Sequence, residues 1–450
     1  MRALPLLIAL TLGSAATAQV PDALGGRWSG AAVYEGGALR LLDLEIEVAG
    51  PDSVAVVLTQ PYNGFTRFGF PFAYEPGGPA DGALVAGLFG DEMRLLVDLD
   101  DGTLRGTVRV GADTTATVSL QRVLDYPLPS FRVEEVSFTA GRDTLGGSLV
   151  LPEGAGPFAT AVLVPGRGYG YGRGEMASWA TLLVRNGIAA FIFDARGTGV
   201  STGVDSLTTG RQRVEDVDAA LDAVLVHPEV RPDAVGVVSN SAGSWVTPLA
   251  IADRDDVAFW VSLVGPAGSL AHQQAAAVRE AMRRSDQPFT PADYAAATAY
   301  QEALVEAMGA GVPWDEIAPR VEAARTAPWA AFADLPDAPT DEQPAYFARR
   351  TGFDNTAALR TLRVPTLAIF GAEDVVVPPS EHVPQWRALA AEAGNGAFTA
   401  VVLPGVDHSL GIPPGPVGAG DWPAGYTRVW GRPGALFTTV VAWTRQRVGL

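Results

Sequence analysis

One serine in this sequence, Ser241, has a position suited to nucleophilic chemistry. It follows an apolar run and precedes a helical pattern. Residues 235–238 predict a strand, residues 239–243 read Ser-Asn-Ser-Ala-Gly, and residues 242–252 predict a helix. A sharp strand-to-helix turn exposes the central side chain, here Ser241, and needs small residues two positions away on each side. Ser239 and Gly243 meet that need, although Ser239 replaces the first glycine of the G-x-S-x-G pattern. The alternative is an ordinary turn serine.

Acyl transfer at such a serine requires backbone N–H groups that bind the oxyanion of the tetrahedral intermediate. One donor is the amide that follows the nucleophile, which is Ala242. The second comes from the loop after an earlier strand; Pro-Gly-Arg-Gly follows the strand predicted over 161–164, and by position the donor is the amide of Arg167. The alternative interpretation of this run, which extends to Gly174, is a flexible turn. A phosphate-binding loop is excluded because it needs a lysine and the chain has none.

The general base of a serine nucleophile is a histidine, and the sequence has four of them. His408 lies just beyond the last predicted strand, where the chain order serine, acid, histidine requires it. His382 is the reserve candidate because it begins a helix directly after the predicted acid loop. His227 precedes the serine, and His272 lies at the start of a predicted helical region.

The acid that orients the histidine is expected after the strand predicted over 366–370. Two neighbouring carboxylates follow that strand, those of Glu373 and Asp374. Asp374 is the favoured candidate because it fits a G-x-x-D-x-x-x-P spacing, and Glu373 is the alternative. The carboxylate would hold the imidazole of His408 in the correct tautomer and stabilise the imidazolium.

Composition excludes several other chemistries. The chain has 450 residues and no Cys, which excludes disulfides, thiolate zinc sites, iron-sulfur clusters and cysteine nucleophiles. The four histidines are too far apart in sequence to suggest a local metal site, so neither a metal nor a cofactor is expected. Thirty-two basic and 50 acidic residues give a net charge of −18, which makes nucleic acid and anionic membranes poor partners. A small molecule is the expected partner.

Two regions with different patterns surround these residues. Residues 19–125 alternate apolar and polar side chains between turn signals, which predicts a small all-β barrel or sandwich domain. A proline-containing linker is predicted over 126–130. Residues 131–450 alternate strand and helix patterns, which predicts an α/β domain with a mostly parallel sheet covered by helices. Within it, about 268–360 lacks strand signals and predicts a helical cap.

The N-terminus has the pattern of a secretory signal peptide over residues 1–18. A short basic start, an apolar run over 3–12 and an A-x-A site ending at Ala18 predict a mature protein that begins at Gln19 and is secreted or periplasmic. The alternatives are a short buried helix or a retained anchor, but the run is much shorter than a membrane span. No Cys follows the segment, so a lipoprotein anchor is excluded.

The serine, acid and histidine positions, together with Asp-Ala-Arg-Gly-Thr-Gly-Val-Ser at 194–201, resemble the α/β-hydrolase superfamily over about residues 131–450. The resemblance implies an α/β-hydrolase fold with Ser241, Asp374 and His408 as catalytic residues, Arg167 and Ala242 as oxyanion hole, and no cofactor. It gives Asp194 and Arg196 scaffold roles. The N-terminal region, from residues 26–30 to 116–123, is similar to the β-rich module of some secreted two-domain bacterial esterases. That similarity implies hydrolysis of short-acyl carboxylic esters through an acyl-enzyme.

Two other functions stay open at this stage. A serine peptidase of the prolyl-oligopeptidase or aminopeptidase type would use the same catalytic groups, because fold does not settle substrate. An aminopeptidase needs acidic side chains that hold a substrate ammonium, and the predicted cap offers candidates in Glu302, Glu306, Asp315 and Glu316. A non-enzymatic binding protein on the same scaffold is the third hypothesis, which the presence of all three catalytic residues argues against.

Overall fold

In a computed structural model of the chain, the described residues are 20–34, 39–50, 53–59, 67–77, 81–88, 91–110, 113–123, 131–166, 172–205, 208–337, 353–411 and 433–450. The chain forms two compact units, Met1–Leu128 and Pro129–Leu450. The predicted signal peptide, the predicted linker over 126–130 and the predicted oxyanion donor Arg167 lie outside the described residues.

The first unit is a closed antiparallel β-barrel, so the sequence-based choice between barrel and sandwich is settled as a barrel. Its strands are β1 (Gly26–Tyr34), β2 (Leu39–Gly50), β3 (Ser53–Thr59), β4 (Arg67–Glu75), β5 (Gly82–Leu88), β6 (Asp91–Asp98), β7 (Thr103–Val110) and β8 (Asp113–Val123). Each strand pairs with the next, and β1 pairs with β8 from Arg27 opposite Val123 onwards, which closes the barrel.

Alternation along the barrel strands sorts side chains between core and surface. On β2, Leu42, Leu44 and Ile46 are buried, in agreement with the alternation that predicted a half-buried strand. The indole N–H of Trp28 donates to the Leu24 carbonyl at 3.0 Å, in the 3-10 turn Asp22–Leu24 that precedes β1. The guanidinium of Arg122 on β8 lies 5.7 Å from the centre of the Trp28 ring, so β8 also packs against this tryptophan.

The second unit is built on a mostly parallel sheet with strand order β16-β15-β14-β13-β11-β12-β10-β9. Its strands are β9 (Arg132–Ala140), β10 (Asp143–Leu151), β11 (Phe158–Val164), β12 (Ala189–Phe193), β13 (Val230–Asn240), β14 (Phe259–Leu263), β15 (Thr366–Gly371) and β16 (Phe398–Leu403). β10 is antiparallel to both of its neighbours, and the other pairs are parallel. The carboxyl ends of β11, β13, β15 and β16 therefore meet at one edge of the sheet, where ligands bind in open α/β folds.

Helices connect these strands and cover the sheet. They are α1 (Ala177–Val184), α2 (Gly210–Leu225), α3 (Gly243–Ile251), α4 (Leu270–Arg284), α5 (Pro291–Gly309), α6 (Trp314–Ala324), α7 (Thr356–Leu359), α8 (Pro379–Glu392) and α9 (Gly434–Val448). Apolar side chains of the sheet pack against those of α2, α3 and α8 in one core, which includes Val162, Val237 and Trp260.

The region predicted as a helical cap contains α4 to α7. Parts of α4, α5 and α6 bury side chains in a cluster of their own, which includes Met282, Leu304, Val321 and Trp329. α5 begins with Pro291 at its first turn and a capping box between Thr290 and Asp293, which fixes the start of the helix. Residues 338–352 of the predicted cap lie outside the described part of the chain.

Candidate active site

Ser241 occupies the turn between β13 and α3 and has a backbone conformation that serine rarely adopts. Its φ is 46°, in the left-handed region that costs a non-glycine residue on the order of 1–2 kcal/mol. The Ser241 N–H donates to the Leu263 carbonyl on β14 at 2.8 Å, and the Ser241 carbonyl accepts from the Ser244 N–H at 2.9 Å. The surrounding backbone therefore holds the strained residue in place, as expected for a functional side chain.

Gly243 shows why the residue two positions after Ser241 must be small. A Cβ atom at Gly243 would lie 2.6 Å from the Pro165 carbonyl oxygen and 2.7 Å from the Val164 carbonyl oxygen, both at the end of β11. Neither carbonyl oxygen can move far, because both belong to the backbone. Only glycine therefore allows α3 to start this close to the end of β11.

Ser239, which replaces the first glycine of the common pattern, is fully buried and hydrogen-bonded. Its Oγ accepts from the indole N–H of Trp260 at 2.8 Å and bonds the Ser244 hydroxyl at 2.8 Å. Ser262 donates to the same Ser244 hydroxyl at 3.0 Å. This hydroxyl cluster, Ser239, Ser244 and Ser262, lies beside the strand-to-helix turn. In the sequence analysis Ser239 served only as a small residue in place of a glycine, although the hydroxyl that a serine adds there was itself a signal of a buried hydrogen-bond partner.

A continuous hydrogen-bond chain joins Ser241 to a histidine and a carboxylate. Ser241 Oγ lies 2.9 Å from His408 Nε2, and His408 Nδ1 lies 2.8 Å from Asp374 Oδ2. An ionised carboxylate only accepts hydrogen bonds, so Nδ1 carries the imidazole proton and Nε2 is free to accept the proton of the serine hydroxyl. The structure thus brings together the three residues that the sequence predicted for catalysis.

Asp374, and not its neighbour Glu373, is the carboxylate that meets His408. Asp374 is fully buried, and its Oδ1 accepts from the N–H groups of Val376 and Val377 at 2.8 Å each. Those bonds leave Oδ2 directed to the imidazole. The Glu373 side chain is 46% exposed and forms an ion pair with Arg284. The sequence spacing that favoured Asp374 therefore matches the geometry.

The turn that presents His408 is built by Asp407, a residue that the sequence analysis did not single out. Asp407 Oδ1 accepts from the N–H of Ser409 at 2.9 Å and from the N–H of Gly411 at 3.2 Å. The His408 turn is also tied to the acid loop, because the Glu373 N–H donates to the Val406 carbonyl at 2.8 Å. This bond holds the loop of Asp374 and the turn of His408 in fixed relative positions, which fixes the spacing between the two side chains.

Opposing effects act on the pKa of His408. Burial of the imidazole lowers the pKa, whereas the charge and hydrogen bond of Asp374 and the charge of Asp407 raise it. The net result is a pKa above the ordinary value of 6.5. The geometry thus favours the imidazolium that forms when the histidine takes a proton.

The remaining histidines lie elsewhere in the structure. His382 is fully buried on α8, its Nδ1 lies 3.2 Å from the Ala267 carbonyl oxygen, and burial lowers its pKa to about 4. The ring of His272 on α4 lies 5.7 Å from that of His382. His227 Nε2 lies 3.3 Å from a Glu134 oxygen. Of the four, His408 is the one whose described hydrogen bonds reach Ser241.

One of the two predicted oxyanion donors is in the described structure. Ala242 follows Ser241 directly and is the residue that precedes the first turn of α3. Its amide is thus at the position expected of a donor, at a helix N-terminus that favours negative charge. Arg167 lies outside the described residues, which reach Gly166 at the end of the β11 loop.

Asp194 and Arg196 make contacts that fit the scaffold role implied by the resemblance. Arg196 is 2% exposed, and its guanidinium bonds Asp216 at 2.7 Å and Asp143 at 2.5 Å. Asp194 Oδ1 accepts from the Arg173 N–H at 2.9 Å. The ion pairs of Arg196 join the loop after β12 to α2 and to β10.

Within the described ranges, no group of three or more His, Asp or Glu side chains could hold a metal ion. Among the helices described in the structure, none is both long and apolar enough to cross a bilayer.

A sequence model of the alpha/beta hydrolase family matches residues 161–417, which is more than half of the chain and includes the predicted nucleophile, acid and histidine. The chain belongs to the α/β-hydrolase family. The predicted α/β-hydrolase fold preceded by a small all-β domain is confirmed, and that domain is a closed barrel, one of the two predicted alternatives. A comparison with curated proteins found no match to this hydrolase.

Several solved structures resemble this α/β-hydrolase at low sequence identity. An esterase of Pyrococcus furiosus is 16% identical, covers 63% of this chain and 88% of its own, and has a TM-score of 0.40. The protein Est1E of Butyrivibrio proteoclasticus, solved with ferulic acid bound, is 14% identical over 70% of this chain and 100% of its own, with a TM-score of 0.43. A proline iminopeptidase of Mycobacterium smegmatis is 16% identical over 70% of this chain and 99% of its own, with a TM-score of 0.42.

Proposed function

We propose that this hydrolase cleaves carboxylic esters, of short acyl chains, through an acyl-enzyme formed on Ser241. The observation that carries the proposal is the hydrogen-bond chain from Ser241 Oγ through His408 to Asp374, set on a strained strand-to-helix turn. A hydroxyl paired with an oriented imidazole is an activated nucleophile, and neither a purely structural serine nor a binding protein requires that arrangement.

In the acylation half-reaction, Ser241 Oγ attacks the ester carbonyl carbon while its proton moves to His408 Nε2. The oxyanion accepts hydrogen bonds from the Ala242 amide and, in this proposal, from the Arg167 amide. Collapse of the tetrahedral intermediate breaks the bond to the leaving oxygen, which takes the proton from the imidazolium. The alcohol departs and the acyl group stays on Ser241.

Deacylation repeats these steps with water as the nucleophile. His408 Nε2 removes a proton from water, the resulting hydroxide attacks the acyl carbon, and the second tetrahedral intermediate expels Ser241 Oγ, which recovers its proton from the imidazolium. Asp374 keeps the Nδ1 proton in place throughout and stabilises the imidazolium. The carboxylic acid product leaves the free enzyme ready for another cycle.

A panel of substrates tests the reaction class. Purified protein is assayed with p-nitrophenyl esters of increasing acyl length beside aminoacyl and prolyl anilides, with the Ser241→Ala variant as control. We expect kcat/KM to be highest for short-chain esters and to disappear in the variant. Faster cleavage of the anilides would assign the protein to the serine peptidases instead, and turnover of neither class would refute ester hydrolysis.

We also propose that the protein acts outside the cytoplasm, as a secreted or periplasmic enzyme. The support is the signal-peptide pattern over residues 1–18. The test expresses the full chain in a bacterium, separates the cytoplasm from the periplasm and medium, and sequences the N-terminus of the recovered protein. A mature chain that begins at Gln19 outside the cytoplasm is expected; an unprocessed chain retained in the cytoplasm would contradict this part of the proposal.

A further inference from the structure

Helix α4, the first helix after the loop that follows β14, contacts the segment that carries Asp374. That segment, residues 371–381, is called the acid loop here. Three α4 side chains bond to it, those of Gln273, Arg279 and Arg284. They lie between about 90 and 105 residues away from the acid loop in sequence, so the fold alone brings them together.

Gln273 contacts the same residue that orients the acid. Its side chain is 4% exposed, and its Nε2 donates to the Val376 carbonyl. The Val376 N–H in turn donates to Asp374 Oδ1 at 2.8 Å, and Asp374 Oδ2 meets His408 Nδ1. The buried side-chain amide of Gln273 on α4 is therefore connected to the imidazole of His408 through the backbone of Val376 and the carboxylate of Asp374.

Arg284 holds the other side of the acid loop. Its Nη2 donates to the Ala372 carbonyl at 2.8 Å, and its Nη1 forms an ion pair with Glu373. Arg284 is itself fixed, because its Nε donates at 2.6 Å to Glu280, a carboxylate that is 5% exposed. Gln273 and Arg284 thus contact the acid loop on both sides of Asp374 in sequence.

Arg279 adds a third connection at the end of the acid loop. Its Nε and Nη2 donate to the two carboxylate oxygens of Glu381 at 2.9 Å each. A two-bond pairing of this kind fixes orientation as well as distance. Since Glu381 lies in the first turn of α8, this pair connects α4 to the helix that follows the loop.

We propose that Gln273 and Arg284 are positioning residues that hold the Asp374 carboxylate against His408. The inference rests on the proposed function, in which Asp374 orients the imidazole. Neither side chain touches the reacting atoms. Without them the acid loop keeps its internal hydrogen bonds and the Arg279–Glu381 pair at its end, but it loses the bonds to α4 that flank Asp374 in sequence. The carboxylate then no longer has one fixed position beside Nδ1. Misplacement of about 1 Å at such a group costs on the order of 100-fold in rate.

Four substitutions separate positioning from general damage to the cap. Gln273→Leu and Arg284→Gln remove the bonds to the acid loop. Gln301→Leu is the matched control for the first, because Gln301 is a buried cap glutamine that bonds Asp334. Arg325→Gln matches the second, because Arg325 pairs with Glu322 and Asp337 on the cap. None of the described hydrogen bonds of the two controls reaches the acid loop.

Each variant is assayed for kcat, KM and the pH dependence of kcat/KM with the ester that the substrate panel selects. We expect Gln273→Leu and Arg284→Gln to lower kcat about 10- to 100-fold with KM changed less than about threefold. The acid limb of their profiles should move to lower pH, because the Asp374 charge that favours imidazolium at His408 acts from a less fixed position while Asp407 remains. The controls should leave the acid limb in place. Equal shifts in the controls would overturn the inference.

A double-mutant cycle with Asp374→Asn isolates the route of the effect. If Gln273 and Arg284 act through the Asp374 carboxylate, their substitution lowers kcat much less in the Asp374→Asn background than in the wild type. Fully additive losses would contradict positioning. An Asp374→Asn enzyme with normal kcat would instead refute the proposed acid, so the two failures are distinct. If Gln273→Leu does not fold, the cycle with Arg284→Gln decides, since that side chain is 28% exposed and easier to replace.

Discussion

Replacement of Asp374 by Asn tests the hydrogen-bond geometry because the structure dictates which way the amide must face. Asp374 Oδ1 accepts two backbone N–H groups, from Val376 and Val377 at 2.8 Å each. An asparagine keeps both bonds only with its oxygen on that side, which turns its NH₂ group toward His408 Nδ1. The imidazole must then present a lone pair at Nδ1 and carry its proton on Nε2. In that tautomer Nε2 cannot accept the proton of Ser241.

The expected loss follows from the wrong tautomer. In a triad of this type it lowers kcat by about 10⁴-fold, which corresponds to about 5.4 kcal/mol of transition-state stabilisation. The remaining activity should have its acid limb at lower pH, because the carboxylate opposes the effect of burial and is a main cause of the raised pKa of His408. The assay measures kcat and kcat/KM with one ester between about pH 5 and 9, around the reference histidine pKa.

Glu373→Gln is the control for Asp374→Asn. Glu373 is adjacent in sequence but half-exposed and paired with Arg284, so its substitution should change kcat by less than about tenfold, as expected for an exposed ion pair, and leave the acid limb in place. The reverse outcome, with Glu373→Gln crippling the enzyme and Asp374→Asn nearly silent, would refute the argument and move the acid by one residue.

Three further substitutions test the turn that carries the serine. Ser239→Ala leaves the buried indole N–H of Trp260 without its acceptor, so the free energy of unfolding in denaturant should fall by about 1–3 kcal/mol; a change under about 0.5 kcal/mol, typical of unconstrained sites, would contradict the hydroxyl cluster. Gly243→Ala drives a Cβ into the carbonyl oxygens of Val164, the last residue of β11, and of Pro165, which follows it. This variant should lose about 1–3 kcal/mol of stability and most of the proposed esterase activity, whereas a fully active variant would show that the contact is not tight. Ser241→Gly should unfold at higher denaturant concentration than Ser241→Ala, because glycine adopts a φ of 46° without strain; equal midpoints would contradict the strain, and both variants should be inactive.

The sequence predicted those site residues whose position follows from the elements next to them in the chain. Ser241 sits between an apolar strand and a helix, and chain order placed His408 after it. Glu373 and Asp374 could not be separated by chain order because they are adjacent. The G-x-x-D-x-x-x-P spacing favoured Asp374, but the bonds from the N–H groups of Val376 and Val377 that orient its carboxylate depend on how tightly the loop turns.

Other features depend on residues far apart in the chain and gave no sequence signal. Gln273 and Arg284 lie in the predicted helical cap, far in sequence from the acid loop that they contact. Closure of the barrel requires β1 to pair with β8 about 90 residues later, which alternation along single strands does not specify. The identity of the hydrogen-bond partner of Ser239 was hidden for the same reason, since Trp260 lies on a neighbouring strand.

Covalent labelling of the serine tests the central claim most directly. The purified enzyme is treated with a fluorophosphonate, which reacts quickly only with an activated hydroxyl, and the adduct is located by fragmentation of the peptide that contains Ser239, Ser241 and Ser244. We predict one adduct, on Ser241, that is absent from Ser241→Ala and forms much more slowly in Asp374→Asn. An adduct on Ser239 or on a serine outside this peptide, or no labelling of the folded enzyme, would contradict the assignment of Ser241 as the nucleophile.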